Sequence, residues 1–171
     1  MNSENLCEKA IAELAEGNTD ALSVIYGEMS RRIFSLAYTV TGNYCDAEDA
    51  LQNTMIDITR YCREYRGGSI VAWIMTIARH NALDIVRKRR EEAPLDDAVE
   101  NLAADARDGF AVVEAMDMLS VLDEDEKQIV LLRLYHEMPY REIAAVMGIK
   151  VFAAQKRYQR AISKLKKYNA R

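Results

Sequence analysis

Proline, glycine and histidine are scarce in this chain, and each scarcity narrows what it can be. With two prolines and seven glycines in 171 residues, the turn residues that a many-stranded sheet needs at short intervals are missing. The two histidines, His80 and His136, stand alone, and the three cysteines, Cys7, Cys45 and Cys62, form no C-x-x-C pair. No metal centre is therefore expected, and the thiols read as reduced and mostly packed. No apolar run approaches the roughly 18–20 residues of a membrane span. The opening MNSENLCEKAIAELAEG is acidic and interrupted by charge, unlike a signal peptide or lipidation signal. A cytoplasmic protein without membrane insertion is expected. A Gly-rich phosphate loop and a nucleophile–base arrangement are also lacking, which speaks against an enzyme and against any bound cofactor.

What the chain does have is helix formers. Half its residues are apolar, and Ala, Leu, Glu, Arg, Lys, Ile and Met dominate, so the expected class is all-α. The net charge of −4 conceals an alternation. Residues 1–65 sum to −6, 66–90 to +5, 91–126 to −12 and 127–171 to +9. Two basic blocks in an acidic chain point to two polyanion-facing surfaces. The acidic total argues against tight non-specific DNA binding by the free chain.

Periodicity and caps divide the chain into helices. A short first helix spans Leu6 to Ala15 and breaks at Gly17-Asn18. Leu22, Ile25, Met29, Ile33, Leu36 and Val40 recur at three- and four-residue steps along a long second helix, which Gly42-Asn43 ends. Ala47, Ala50, Leu51, Met55 and Ile58 mark a third. After the loop Tyr65-Arg66-Gly67-Gly68, Ser69 can cap a fourth that runs to about Arg90. The acid-rich stretch that follows lacks sustained periodicity and reads as a linker extended by its own charge. The predicted architecture is two small helical domains, 1–92 and 109–171, joined by an acidic linker, 93–108. In the second, Val113, Met116, Leu119 and Leu122 mark one helix. Asp123-Glu124-Asp125-Glu126 is a D-x-x-E capping box for the next, Pro139 opens a third and Gly148 closes it, and Val151 to Tyr168 forms the last.

The stretch PYREIAAVMGIKVFAAQKRYQRAISKL has the layout of a helix-turn-helix. Ala144 is small where the helices cross, and Gly148, four residues on, allows the left-handed backbone of the turn. In this motif the second helix enters the major groove. Its early polar residues here are Lys150, Gln155, Lys156, Arg157 and Arg160. Gln155 is the best candidate for reading a base edge, while Arg157 and Arg160 suit phosphates equally well. The plainer alternative is a helical hairpin with a solvated basic face, against which +9 over 45 residues weighs.

Two stretches together resemble an extracytoplasmic-function sigma factor, the small type that keeps only regions 2 and 4. DAEDALQNTMIDITRYCREYRGGSIVAWIMTIARHNALDIVRKRR is similar to region 2, and LSVLDEDEKQIVLLRLYHEMPYREIAAVMGIK with RYQRAISKLKK is similar to region 4. The resemblance implies a transcription initiation factor whose partners are core RNA polymerase, promoter DNA and an anti-sigma factor. It implies that Asp46, Glu48, Asp49 and Gln52 dock on the polymerase clamp. It further implies that Tyr65 and Arg66 in their loop, with Tyr61 nearby, face the −10 element. Arg79, Asn81, Arg87 and Lys88, with Arg89 and Arg90, would line the adjoining DNA, and the helix-turn-helix would bind the −35 element. From the residues alone, Arg87 to Arg90 could equally be a solvated helix end, Arg79 could bond within its domain, and Trp73 reads as core. The chain departs from the family pattern at the start of the last helix. Phe152-Ala153-Ala154-Gln155 stands where Gly-Thr-Val-Lys is usual. The competing reading is a stand-alone helix-turn-helix regulator whose first half senses a signal or dimerises.

Overall fold

The computed structural model describes residues 2–92 and 119–170. Among them the regular structure is helical, with no strand. The chain divides into two compact units, Met1–Ala98 and Val99–Arg171. The linker expected at 93–108 lies outside the described residues.

In the first unit α1 spans Ser3–Ala15, α2 Leu22–Thr41, α3 Tyr44–Tyr61 and α4 Ile70–Glu92. Each start has a chemical cause. The Asn2 and Asn43 side chains accept the backbone N–H groups of Asn5 (2.9 Å) and Asp46 (3.0 Å), and Ser69 Oγ accepts that of Ala72 (3.1 Å), which satisfies first-turn donors with no partner inside the helix. Gly42 ends α2 in the left-handed conformation, φ 66°. The apolar stripe expected on α2 is the core: Ile25, Met29, Ile33 and Leu36 are fully buried. α2, α3 and α4 pack against one another, and α1 lies against α2 and α4. Buried Thr39 and Thr54 donate their hydroxyls to the carbonyls of Ser35 and Ala50, as buried polar groups must find partners.

The second unit holds α5 (Glu124–Val130), α6 (Tyr140–Met147) and α7 (Val151–Asn169). The predicted capping box is present. Asp123 accepts from the Glu126 backbone at 2.8 Å, and Glu126 accepts from that of Asp123 at 3.1 Å. The helix predicted on Val113 to Leu122 lies mostly outside the described residues. Its described end is a turn, closed by the Leu122 N–H on the Leu119 carbonyl. α5 runs into a π-helical segment, Leu131–Tyr135, where the His136 N–H reaches back five residues to the Leu131 carbonyl. Glu137 then takes φ 54°, and the chain turns through Pro139 into α6.

α6 and α7 form the helix-turn-helix. Gly148 sits at φ 64°, which a side chain would strain. Its N–H bonds the Ala145 carbonyl, and that of Ile149 bonds the Ala144 carbonyl, the paired closure of a Schellman turn. Ile143, Ala144, Met147 and Ala154 are buried. α7 packs on both α5 and α6, leaving its outer face to solvent.

Candidate nucleic-acid and protein interfaces

On α3 the inward residues are Ala47, Ala50, Leu51, Thr54, Met55 and Ile58. The opposite face carries Glu48, Asp49 and Gln52, all exposed. Ile56 continues this face at the next helical step and is 55% exposed, a large apolar group beside two acids. Partial burial raises the pKa of the Tyr44 hydroxyl, as does its hydrogen bond to Glu48. Asp46, expected with this group, is committed elsewhere: it forms an ion pair with Arg89, whose guanidinium also donates to the Thr41 carbonyl at 3.1 Å. The contact pins the α2–α3 corner to α4 and engages both residues within the first unit.

The loop after α3, expected to face the −10 element, carries half-buried Tyr65 and exposed Arg66. The Tyr65 hydroxyl donates to the Gly68 carbonyl at 2.7 Å, and its ring lies 5.5 Å from that of Trp73. Burial raises its pKa, with the Glu8 charge adding to the effect. Tyr65 therefore braces the loop from within. Trp73, expected as core, is half-buried beneath it. Arg66 is exposed, with its guanidinium on the Arg63 carbonyl, and the Arg63 side chain itself reaches the Ala15 carbonyl at the end of α1 (3.1 Å). Tyr61 is 38% exposed with the Arg60 guanidinium 5.9 Å from its ring.

Along α4, Asn81 donates to Asp57 of α3 at 3.0 Å. This hydrogen bond ties α4 to α3 and leaves Asn81 half-buried. Arg79 is half-buried. Arg87 pairs with Asp84 at 3.1 Å, with both side chains more than half exposed. Such pairs are weak, about 0–1 kcal/mol, so the guanidinium is easily redirected. Lys88 and Arg90 are exposed.

On α7 the outward stripe is Phe152, Lys156, Gln159, Arg160, Ser163 and Lys167. Lys150 at the N-cap is exposed beside it. Gln155, expected as the base reader, lies at the stripe's edge and is half-buried. Arg157 donates to Asp125 at 2.7 Å, and Lys164 to Glu126, also at 2.7 Å. The acidic turn that caps α5 thus neutralises two cations of α7, and Arg160 lines a cleft with Arg157 and this turn. Among the described residues no group of three or more His, Cys, Asp and Glu is placed to hold a metal ion, and no helix is long and apolar enough to cross a membrane.

These elements coincide with two family models. Sigma-70 region 2 matches residues 25–92, which contain α3 and α4, and Sigma-70, region 4 matches residues 113–165, which contain the helix-turn-helix. The ECF RNA polymerase sigma factor SigE of Mycolicibacterium smegmatis is 32% identical over 152 residues, 82% of this chain and 58% of that protein. The RNA polymerase sigma factor CarQ of Myxococcus xanthus is 29% identical over 157 residues, 88% of this chain and 90% of that protein. The chain belongs to the ECF sigma-factor family.

Solved structures agree on the fold. CnrH, determined with the cytosolic domain of CnrY, matches 99% of this sigma factor and 98% of its own chain at a TM-score of 0.75 and 20% identity. The sigma factor RpoE of Bartonella quintana, determined with the anti-sigma factor NepR, matches 80% of this chain and 88% of its own at a TM-score of 0.61. The sigma factor spans 58% of the length of SigE.

Two groups escaped the reading of the sequence. Ile56 follows Asp49 and Gln52 at helical spacing, so its place on the acidic face could have been found by plotting the outer face as well as the inner one. Phe152 departs from the family pattern in the sequence, but its place at the head of the exposed stripe of α7 follows only from the packing of α7 on α5 and α6.

Proposed function

We propose that this sigma factor binds core RNA polymerase and directs it to promoters, with region 2 engaging the −10 element and region 4 the −35 element. The observation that carries the reading is the division of exposed charge by face: acids with one apolar group on the outside of α3, cations on the outside of α7. The α3 face, Glu48, Asp49, Gln52 and Ile56, fits a basic helix of the polymerase, with its charges giving orientation and encounter rate. Tyr61 and Arg66 supply a ring and a charge for the unstacked bases of a melted strand, while Tyr65 positions the loop that carries Arg66. Arg87 and Lys88 meet flanking phosphates. Lys150, Lys156 and Arg160 hold the −35 duplex, with Gln155 at the margin and Arg157 contributing through what Asp125 leaves of its charge.

The working division is 1–92 for region 2, 93–108 for the acidic tether and 109–171 for region 4. The factor acts in the cytoplasm and is itself no enzyme, since the bond-forming chemistry belongs to the polymerase. By likeness to RpoE with NepR, an anti-sigma factor holds it until it is needed.

Footprinting with and without core polymerase tests the reading. Protection of a −10/−35 pair only when polymerase is present is expected. Equal protection of duplex by the chain alone would favour a stand-alone regulator.

A further inference from the structure

Phe152 is 68% exposed, the most exposed large apolar side chain among the described residues. It is the second residue of α7, in the turn that a helix-turn-helix presents to base edges. One turn on, the Lys156 ammonium stands 5.3 Å from the centre of its ring, and Gln159, Arg160, Ser163 and Lys167 extend the same stripe. A lone ring at the head of a cationic stripe asks for a target that is anionic along its length and apolar at one point. Duplex DNA meets both demands. Its phosphates take the cations, and the one apolar group exposed in the major groove is the 5-methyl of thymine, which Phe contacts in known readout. A protein partner fits less well. Beyond the ring, the apolar surface here is little more than Val151, 41% exposed, whereas docking patches run to several hundred Å². Gln155 is half-buried and leaves the leading position to the ring.

We infer that Phe152 is a specificity-determining residue, reading a thymine through its methyl group in the duplex element that α7 enters. The inference rests on the promoter-reading role proposed above and names one base of that element.

The test uses holoenzyme reconstituted from core polymerase and the full chain. Genomic fragments that it retains are resynthesised with each thymine of the upstream element replaced in turn by deoxyuridine, which removes the methyl and keeps the base pair. At one or two positions, retention by the native chain should fall about fourfold, the equivalent of roughly 0.8 kcal/mol for one buried methyl-sized group. Phe152→Ala, a change at an exposed site that leaves the fold intact, should lose a similar factor on thymine DNA and nothing more on deoxyuridine DNA. Phe152→Leu should keep part of the response. Indifference of the native holoenzyme to every deoxyuridine would overturn the inference. So would a Phe152→Ala holoenzyme with undiminished sensitivity, or a variant with unaltered DNA retention but lost capture by a protein partner. Retention without methyl dependence removes the inference alone. Failure of polymerase to confer any specific retention removes the promoter reading and the inference with it.

Discussion

The Asp125 carboxylate lies 2.7 Å from the Arg157 guanidinium, so the acidic turn that caps α5 holds a cation of the recognition helix. Arg160, three residues on, is exposed. The two arginines should therefore differ in their share of DNA binding. Arg160→Ala should weaken duplex retention evenly across sequences and reduce the slope of log K against log salt by about one unit, the mark of one lost phosphate contact. Arg157→Ala should reduce it by less, and Asp125→Asn should steepen it. Holoenzyme binding measured across a salt series checks all three, and equal slopes for the two arginine variants would contradict the assignment.

The outer face of α3 carries a separate expectation. Glu48→Lys combined with Asp49→Lys reverses two exposed charges on the outside of the helix. Association with core polymerase should be abolished while circular dichroism and melting stay as in the native chain. Unaltered co-purification of polymerase would show that this face is not the docking surface. Ile56→Ala should weaken association without abolishing it.

Asp46 should behave unlike its neighbours. Its pairing with Arg89 ties the α2–α3 corner to α4, and both side chains are partly buried. Asp46→Ala should cost about 1 kcal/mol of stability, the upper end for a partly exposed pair. Polymerase affinity, measured below the melting temperature, should be little altered. A denaturant titration beside a polymerase-binding assay separates the two effects.

Cys7 is fully buried in the first unit, and burial, with Glu28 adding to it, pushes its thiol up to about 11. The unfolded thiol gives up its proton from about 9 upward, while the folded one keeps its proton until about 11. Deprotonation in that window favours the unfolded state. The stabilising contribution is full below pH 9 and is lost as the pH rises toward 11. Denaturation measured across this range should show the native chain losing more stability than Cys7→Ala, a difference that cancels the titration of lysines and tyrosines common to both. At neutral pH, alkylation of the folded chain should mark exposed Cys45 first and spare Cys7 and Cys62.

Local chemistry was the readable part. Gly42 and Gly148 end helices because their backbone must turn left-handed, Ser69 and Asp123 begin them because first-turn donors need an acceptor, and each cause lies within four residues of its effect. The two-helix motif followed from such signals together with the small Ala144. Pairings across the fold were not readable in the same way. Asp46 with Arg89, Asn81 with Asp57 and Arg157 with Asp125 join residues 43, 24 and 32 positions apart. A charged side chain in isolation looks the same whether it faces solvent or a partner. The half-burial of Tyr65 was hidden for a related reason: its hydroxyl found the Gly68 carbonyl, and its ring found Trp73. The π-helical Leu131–Tyr135 segment also escaped, because an apolar run such as LLRLY has no mark that separates a five-residue backbone closure from the usual four.

The central claim is that this chain gives polymerase its promoter choice, and run-off transcription tests it most directly. Purified core polymerase is supplied with the chain and a library of genomic fragments. The account predicts discrete transcripts from a small set of fragments, absent without the chain and lost with the Glu48→Lys, Asp49→Lys variant. No specific initiation, with no co-purification of polymerase, would contradict it.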